Sequence, residues 1–127
     1  MPWNHEQFMM FAARFSEECH AIFDDRKEAY SKLGDRLSQF FDLENEQGKP
    51  APMVLLDMAA KHWNMCKNLA DRESVDLELW DRCTKDLHNY MILLAAVVRD
   101  ERYQSMAAGE PRKPNVVKMM EDAKDDT

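Results

Sequence analysis

Glycine and proline are scarce in this sequence, with three and five residues respectively in 127. Strand-rich folds need the turns that these residues make, so their scarcity favours helices. The longest apolar run, residues 91–98, is too short to cross a bilayer. A signal peptide is also missing, because Asn4, His5 and Glu6 interrupt the N-terminal segment. We therefore expect a cytoplasmic helical protein that does not enter membranes.

Cysteine and histidine are few and show no metal-ligand spacing. The three cysteines are odd in number, and each falls within a helical pattern: Cys19, Cys66 and Cys83. Cysteines of this kind are typically small buried apolar residues of a reducing compartment. The four histidines lie in separate segments without the spacing of a helical zinc site, which argues against zinc. Glycine-rich phosphate loops, nucleophile elbows and triad signatures are likewise missing.

Acidic residues outnumber basic ones and give a formal net charge of −7. A field of this sign does not attract nucleic acid phosphates, so we expect no direct binding to DNA or RNA. Three interpretations of the acidity stay open: a solvated surface, a protein that holds metal ions, or one that mimics a polyanion. With 45% hydrophobic residues, the chain can bury a core of its own as one domain.

Apolar residues recur at intervals of three and four, which predicts an all-α, bundle-like domain of four main helices. Asn4 and Gln7 form a capping-box pattern at the start of the first helix, which should run to about Lys27. A break near Tyr30 precedes the second helix. The loop of residues 45–52, with its glycine and prolines, separates the second helix from the third.

The fourth helix, from Leu77 to about Gln104, is the segment around which the others should be arranged. Ser74 or Asp76 can cap its N-terminus. Residues 91–98 within it are all apolar, so we expect that part of the helix to be buried on several sides.

Residues 1–106 form the predicted helical domain, and residues 107–127 form a tail with one short helix. The tail is either a flexible arm or a docking segment for a second subunit. Two pairs of adjacent methionines, Met9-Met10 and Met119-Met120, must each expose a side chain or bury it in a partner. This pattern predicts a homo-oligomer, a dimer or larger.

Carboxylates on two helices form the first candidate site. Glu17 and Glu18 of the first helix could hold magnesium together with Asp86 of the fourth, because Mg²⁺ prefers oxygen ligands. Such an ion would stabilise the charge that develops as a phosphoanhydride bond breaks. The alternative is that these side chains are solvated on polar helix faces. Asp86 is the best candidate, since Leu87 and Tyr90 flank it on the apolar side.

Three further residues are candidates for substrate binding. Lys61 could reach a phosphate, and Asn89 or Tyr90 could contact the nucleoside. Each has a structural alternative: Lys61 could form a surface ion pair with Asp57 four residues earlier, and Tyr90 could be a core residue with a satisfied hydroxyl. His62 lies on the apolar face, where a hydrogen-bonded core histidine is the commoner outcome.

Three segments, in this order, resemble phage and bacterial all-α domains associated with nucleotide metabolism or modification. They are residues 21–30 (AIFDDRKEAY), residues 56–62 (LDMAAKH) and residues 86–94 (DLHNYMILL). The resemblance covers about residues 17–98 and rests on the order and spacing of the segments. The architecture is also similar to the wider MazG-like and dimeric dUTPase group, whose members hydrolyse nucleoside triphosphates to monophosphates using magnesium.

That group carries Glu-Glu-x-x-Glu on one helix and Glu-x-x-Asp on a later one. Glu17, Glu18 and Asp86 match three of these carboxylates, whereas Ala21 and Cys83 stand at the other two positions. The resemblance implies that the three matching residues bind Mg²⁺ and that Glu18 and Asp86 are catalytic.

The sequence therefore predicts a phage-type nucleotide-handling protein acting in the host cytoplasm. It would be a magnesium-dependent nucleoside triphosphate pyrophosphohydrolase or a nucleotide-binding relative. The alternative, which the missing carboxylates favour, is a non-enzymatic acidic protein that inhibits a host enzyme or defence complex by binding it. Acids that converge in a cleft would favour the first function, and acids on one exposed face the second.

Overall fold

The computed structural model describes residues 2–30 and 35–107, which contain five helices and no strand. Their bounds are α1 His5–Tyr30, α2 Ser38–Gln47, α3 Ala51–Ala70, α4 Leu77–Arg99 and α5 Glu101–Ala107. The predicted all-α fold class is thus confirmed. The predicted helix of the C-terminal tail lies outside the described residues. None of the described helices combines the length and the apolar character needed to span a membrane.

Side chains close to the helix ends fix where the helices begin and stop. The backbone N–H of Gln7 donates to Asn4 Oδ1 at 2.8 Å, and that of Asn4 donates to Gln7 Oε1 at 3.0 Å. This reciprocal pair is the predicted capping box of α1. Asp76 caps α4 by accepting from the backbone N–H of Leu79. Gly48 ends α2 with a φ of 67°, a left-handed conformation that favours glycine.

The helices α3 and α4 form the most extensive pair, and the other helices pack around it. They are joined by residues 71–76 and run antiparallel, because His62 faces Asp86 while Cys66, one turn later, contacts Cys83. Helix α2 packs on α3, whereas α1 and α5 pack on α4. The result is an αα-hairpin with one helix against α3 and two against α4.

The main core lies where α2, α3 and α4 meet. Its buried residues are Phe40, Phe41, Ala51, Leu55 and Val97. A buried carboxylate supports this junction, since Glu44 Oε1 accepts a hydrogen bond from the backbone N–H of Ala51 at 2.8 Å. That bond satisfies one of the donors that every helix leaves unpaired at its N-terminus.

The prediction that residues 91–98 are buried on several sides is wrong. Val97 is fully buried, but Met91 and Ile92 keep 44% and 38% of their surface exposed. Among the described residues, α1, α3 and α5 pack on α4 and leave this side of the apolar run exposed.

The prediction that the fourth helix continues to Gln104 is also wrong. Helix α4 ends at Arg99, and Asp100 has an extended backbone with a ψ of 142°. The carboxylate of Asp100 accepts from the backbone N–H of Arg102 at 2.9 Å, so this residue stops α4 and caps α5.

Arg102 joins the start of α2 to the junction of α4 and α5. Its guanidinium donates to Asp100 and to Asp35 at 2.8 Å each and lies 4.2 Å from the centre of the Phe41 ring. The hydrogen bonds from Arg102 hold the pKa values of Asp35 and Asp100 below the ordinary carboxyl range. The same hydrogen bonds raise the pKa of Arg102, and the bond with Asp100 has the larger effect.

Helix α1 packs on α4 through the middle of its length. The Phe15 ring lies 5.8 Å from the His88 ring, edge to face. Cys19 is fully buried, and this burial raises the pKa of its thiol. Nearer the N-terminus the helix is largely uncovered, and both Met9 and Met10 are exposed. The sequence predicted that at least one of this pair would be exposed or buried in a partner.

Candidate functional site

A cavity of about 140 Å³ lies where α1, α2, α3 and α4 meet. Apolar side chains from the core form part of its wall. Its polar and charged lining residues are Arg26, Arg36, Gln39, His62, Asp86, Asn89 and Tyr90. Asp86, Asn89 and Tyr90 are predicted site residues, so the fold brings three of the candidates together.

An acid and an imidazole face each other in this cavity. His62 Nδ1 lies 3.4 Å from Asp86 Oδ2, and both side chains are mostly buried. The other neighbour of the imidazole is Tyr90, whose ring centre lies 5.2 Å away. His62 is thus the partnered histidine that the apolar face of α3 predicts, and its partner is a candidate site residue.

Asn89 connects α4 to α1 beneath the cavity. Its side chain is buried, and its Nδ2 donates to the backbone carbonyl of Cys19 at 3.1 Å. Its Oδ1 lies 3.1 Å from His88 Nδ1. One N–H of the amide is left for a ligand after these two contacts. Asn89 therefore holds the wall in place as well as lining it.

Two arginines border the cavity, and neither is among the residues that the sequence predicts as functional. Arg36 donates to the backbone carbonyls of Arg26 at 3.1 Å and Phe23 at 3.4 Å, and its guanidinium lies over the Phe23 ring. Arg26 is exposed and makes no side-chain hydrogen bond or ion pair with the part of the chain that the structure describes. The adjacent basic residues Arg26 and Lys27 are a sequence signal that could have indicated Arg26. The sequence around Arg36 contains no such signal.

Lys61 is exposed and is not part of the cavity lining. Its predicted alternative, an ion pair with Asp57, is not formed either. Asp57 instead pairs with Lys49, with Nζ and Oδ2 2.9 Å apart. Of the two adjacent residues Lys61 and His62, it is His62 that lines the cavity.

The side chains of Glu17 and Glu18 are on the exposed side of α1 and are not part of the cavity lining. Glu18 is engaged by Lys85, whose Nζ lies 2.8 Å from Glu18 Oε2 and 2.8 Å from Asp81 Oδ2. The pKa of Lys85 is raised, first by its hydrogen bond with Asp81 and then by that with Glu18. This cluster crosslinks α1 to α4 at the surface.

The predicted magnesium ligands do not converge. Across residues 2–30 and 35–107, no three side chains of His, Cys, Asp or Glu are grouped so as to hold a metal ion. Asp86 borders the cavity, while Glu17 and Glu18 do not. Glu17, Glu18 and Asp86 therefore do not together fit one Mg²⁺ site.

Comparison with protein-family models, with curated proteins and with solved structures finds no match for this chain. The resemblance to nucleotide-modification domains and to the MazG-like group consequently stays a prediction of the sequence.

Proposed function

We propose that this protein binds a nucleotide, with the base in the cavity and the phosphate at Arg26. The observation that carries this proposal is the composition of the cavity lining: two arginines of an acidic chain border the same cavity as Asp86, His62 and Tyr90. Cationic, aromatic and hydrogen-bonding groups at one concave site are what an aromatic anion requires.

The size of the cavity supports a single ring system as its occupant. A cavity of roughly 150 Å³ holds a benzene molecule, and this one measures about 140 Å³. A whole nucleotide is larger, so its sugar and phosphate would extend into the mouth. Phe23 and Tyr90 are aromatic residues of the lining that can contact the base, and Asp86 and Gln39 supply hydrogen-bonding groups.

Charge supports the placement of the phosphate. The chain carries a net charge of −7, yet the cavity lining contains two guanidinium groups and one carboxylate, that of Asp86. Arg26 is exposed at the cavity, and a guanidinium forms paired hydrogen bonds with phosphate oxygens. Arg36 is held by backbone carbonyls of α1, which fixes its position beside that group.

We favour a nucleotide-binding relative over a magnesium-dependent pyrophosphohydrolase. Among the predicted metal ligands, Asp86 alone borders the cavity. In this proposal Asp86 accepts a hydrogen bond from the base rather than holding a metal. The predicted phage origin and host-cytoplasm location stay predictions, as does homo-oligomer formation.

The second candidate is a non-enzymatic protein that binds and inhibits a host enzyme or defence complex. Exposed apolar residues on the outer face of α3 favour it, because such faces typically bind other proteins. Met53, Leu56 and Trp63 recur at helical spacing on that face and are each about half exposed.

Thermal unfolding tests the proposal. The chain is heated with nucleoside mono-, di- and triphosphates and cyclic nucleotides, each with and without magnesium. A ligand at a hundred times its dissociation constant stabilises the folded state by about 2.7 kcal/mol, which raises the Tm by several degrees. The matched variants are Arg26→Gln and Arg14→Gln, since Arg14 is an exposed arginine of the same helix outside the cavity.

We expect one nucleotide to raise the Tm of the wild type and of Arg14→Gln but not that of Arg26→Gln. A shift that requires magnesium would instead favour the pyrophosphohydrolase and call for an assay of pyrophosphate release. No shift with any nucleotide contradicts the proposal and leaves the protein-binding inhibitor, for which a pull-down from a host lysate is the next experiment.

A further inference from the structure

The N-terminal part of α1 presents an apolar surface that the described chain does not cover. We call this set the α1 surface: Trp3, Phe8 and Phe11, extended by Ile92 of α4. Each side chain keeps between 38% and 60% of its area exposed. Large apolar residues grouped in this way mark sites of association rather than ordinary surface.

This surface continues the stripe that packs α1 onto α4. Phe8, Phe11, Phe15 and Cys19 recur at intervals of three and four, so they lie on one side of the helix. Phe15 contacts His88, and Cys19 is fully buried.

The rings connect the buried and exposed parts of that stripe. Trp3 lies 5.0 Å from Phe11, and Phe11 lies 5.7 Å from Phe15, so aromatic side chains form a continuous series from the surface to α4. Ile92 follows His88 by one turn and extends the same side of α4. The stripe thus has a core-like composition along its length, but the residues that the structure describes cover only its second half.

We infer that a second copy of this chain covers the α1 surface and forms a homodimer. This inference does not rest on nucleotide binding. Side chains of these sizes, each about half exposed, offer roughly 400 Å² of apolar area per chain. A standard interface buries about 800 Å² per partner, of which about 65% is apolar in homodimers. The α1 surface therefore supplies most of the apolar area that a stable symmetric dimer buries.

The charge distribution permits two copies to meet at this surface. The chain as a whole carries a net charge of −7, so two copies repel each other over most of their surface. Within residues 2–16, however, Glu6 and Arg14 are the charged side chains, and their charges of −1 and +1 cancel. The α1 surface is thus a neutral region through which two acidic chains can approach.

Sedimentation equilibrium of the full chain over a wide concentration range tests this inference. The disruptive variant is Phe8→Glu, because Phe8 is central to the α1 surface. The matched control is Met10→Glu, which makes the same charge change two residues along the same helix, on its opposite side. A second control, Leu56→Glu, makes the change on the exposed face of α3. Circular dichroism establishes that each variant is folded.

We expect the wild type and both controls to sediment at twice the mass of one chain. Phe8→Glu should raise the dimer dissociation constant about 100-fold or more, because it places a charge in each half of a buried apolar contact. A folded Phe8→Glu variant that dimerises like the wild type overturns the inference. So does a dimer that Leu56→Glu or Met10→Glu dissociates and Phe8→Glu does not.

A monomeric wild type also overturns the inference, and vesicles then identify the occupant. If the monomer sediments with phosphatidylglycerol vesicles and Phe8→Glu does not, the α1 surface binds a lipid bilayer. If neither binds, the remaining occupants are residues 108–127 of the same chain, which carry apolar side chains, and another protein.

Discussion

His62 on α3 and Asp86 on α4 meet across the central helix pair, with Nδ1 and Oδ2 3.4 Å apart. This contact joins a residue that the sequence assigns to the core to one that it assigns to a site. The cavity opens beside the pair, so the same two side chains hold the hairpin together and line the proposed binding site.

Substituting Asp86 by Asn should weaken nucleotide binding about tenfold or more, since a hydrogen bond to a charged acceptor contributes roughly 1.5–3 kcal/mol. The amide keeps the size of the side chain and can still bond His62, so the Tm of the free chain should change little. Titration calorimetry with the nucleotide selected by the thermal panel measures the effect. The matched control, Asp71→Asn, lies at the exposed end of α3 and should bind like the wild type. Equal or tighter nucleotide binding by Asp86→Asn would contradict the assignment of Asp86 to the binding site.

Asn89→Ala should lower the free energy of unfolding by about 1–3 kcal/mol, because it removes a buried hydrogen bond between helices. The lost bond is that from Asn89 Nδ2 to the Cys19 carbonyl. Urea unfolding measures the change, and Asn64→Ala on the exposed side of α3 is the matched control. If the two variants were equally stable, the hydrogen bond from Asn89 to α1 would contribute nothing to the free energy of unfolding.

The cluster around Arg102 should make stability depend on acid pH. Its hydrogen bonds lower the folded-state pKa values of Asp35 and Asp100. A lowered carboxyl pKa stabilises the fold fully above the unfolded-state value of about 4, and this contribution is lost as pH falls through the folded-state pKa.

Arg102→Gln should therefore lower the Tm at neutral pH, and the gap to the wild type should close at acid pH. Thermal unfolding of both chains across pH measures the gap. The control is Lys49→Gln, which breaks the exposed pair of Lys49 and Asp57 and should cost less than about 1 kcal/mol at any pH. A gap that persists at low pH would mean that Arg102 acts through its packing on Phe41 rather than through charge.

The local features of the fold follow directly from the sequence. The capping box of Asn4 and Gln7 and the cap at Asp76 each depend on residues three apart, so a short pattern contains the whole interaction. The end of α4 was not predictable in this way. Asp100 stops the helix in concert with Arg102, which also binds Asp35, 67 residues away.

The candidate site was predictable only in part for a related reason. Asp86, Asn89 and Tyr90 lie along the inward side of one strongly periodic helix, so periodicity alone brings them to the interior. Lys61 and His62 differ by one residue, or about 100° of helix rotation, and the packing of α3 decides which of them faces the cavity. Arg36 reaches the cavity through bonds to the carbonyls of α1, which no local pattern contains.

Two adjacent leucines of α3 test the assignment of its inner and outer faces. Leu55 is 1% exposed in the core, whereas Leu56, about 100° further around the helix, is 44% exposed. Leu55→Ala should lower the free energy of unfolding by about 2–5 kcal/mol, because it removes buried methyl groups and leaves a cavity. Leu56→Ala makes the same chemical change in the same helix and should cost less than about 1 kcal/mol.

Urea unfolding of both variants at several protein concentrations measures the difference. A cost for Leu56→Ala that grows with concentration would mean that the outer face of α3 is covered by another copy in the native state. Dimerisation would then involve α3, against the assignment to the α1 surface. An equal and concentration-independent cost for the two variants would instead contradict the rotation of α3, and with it the orientation of His62 towards the cavity.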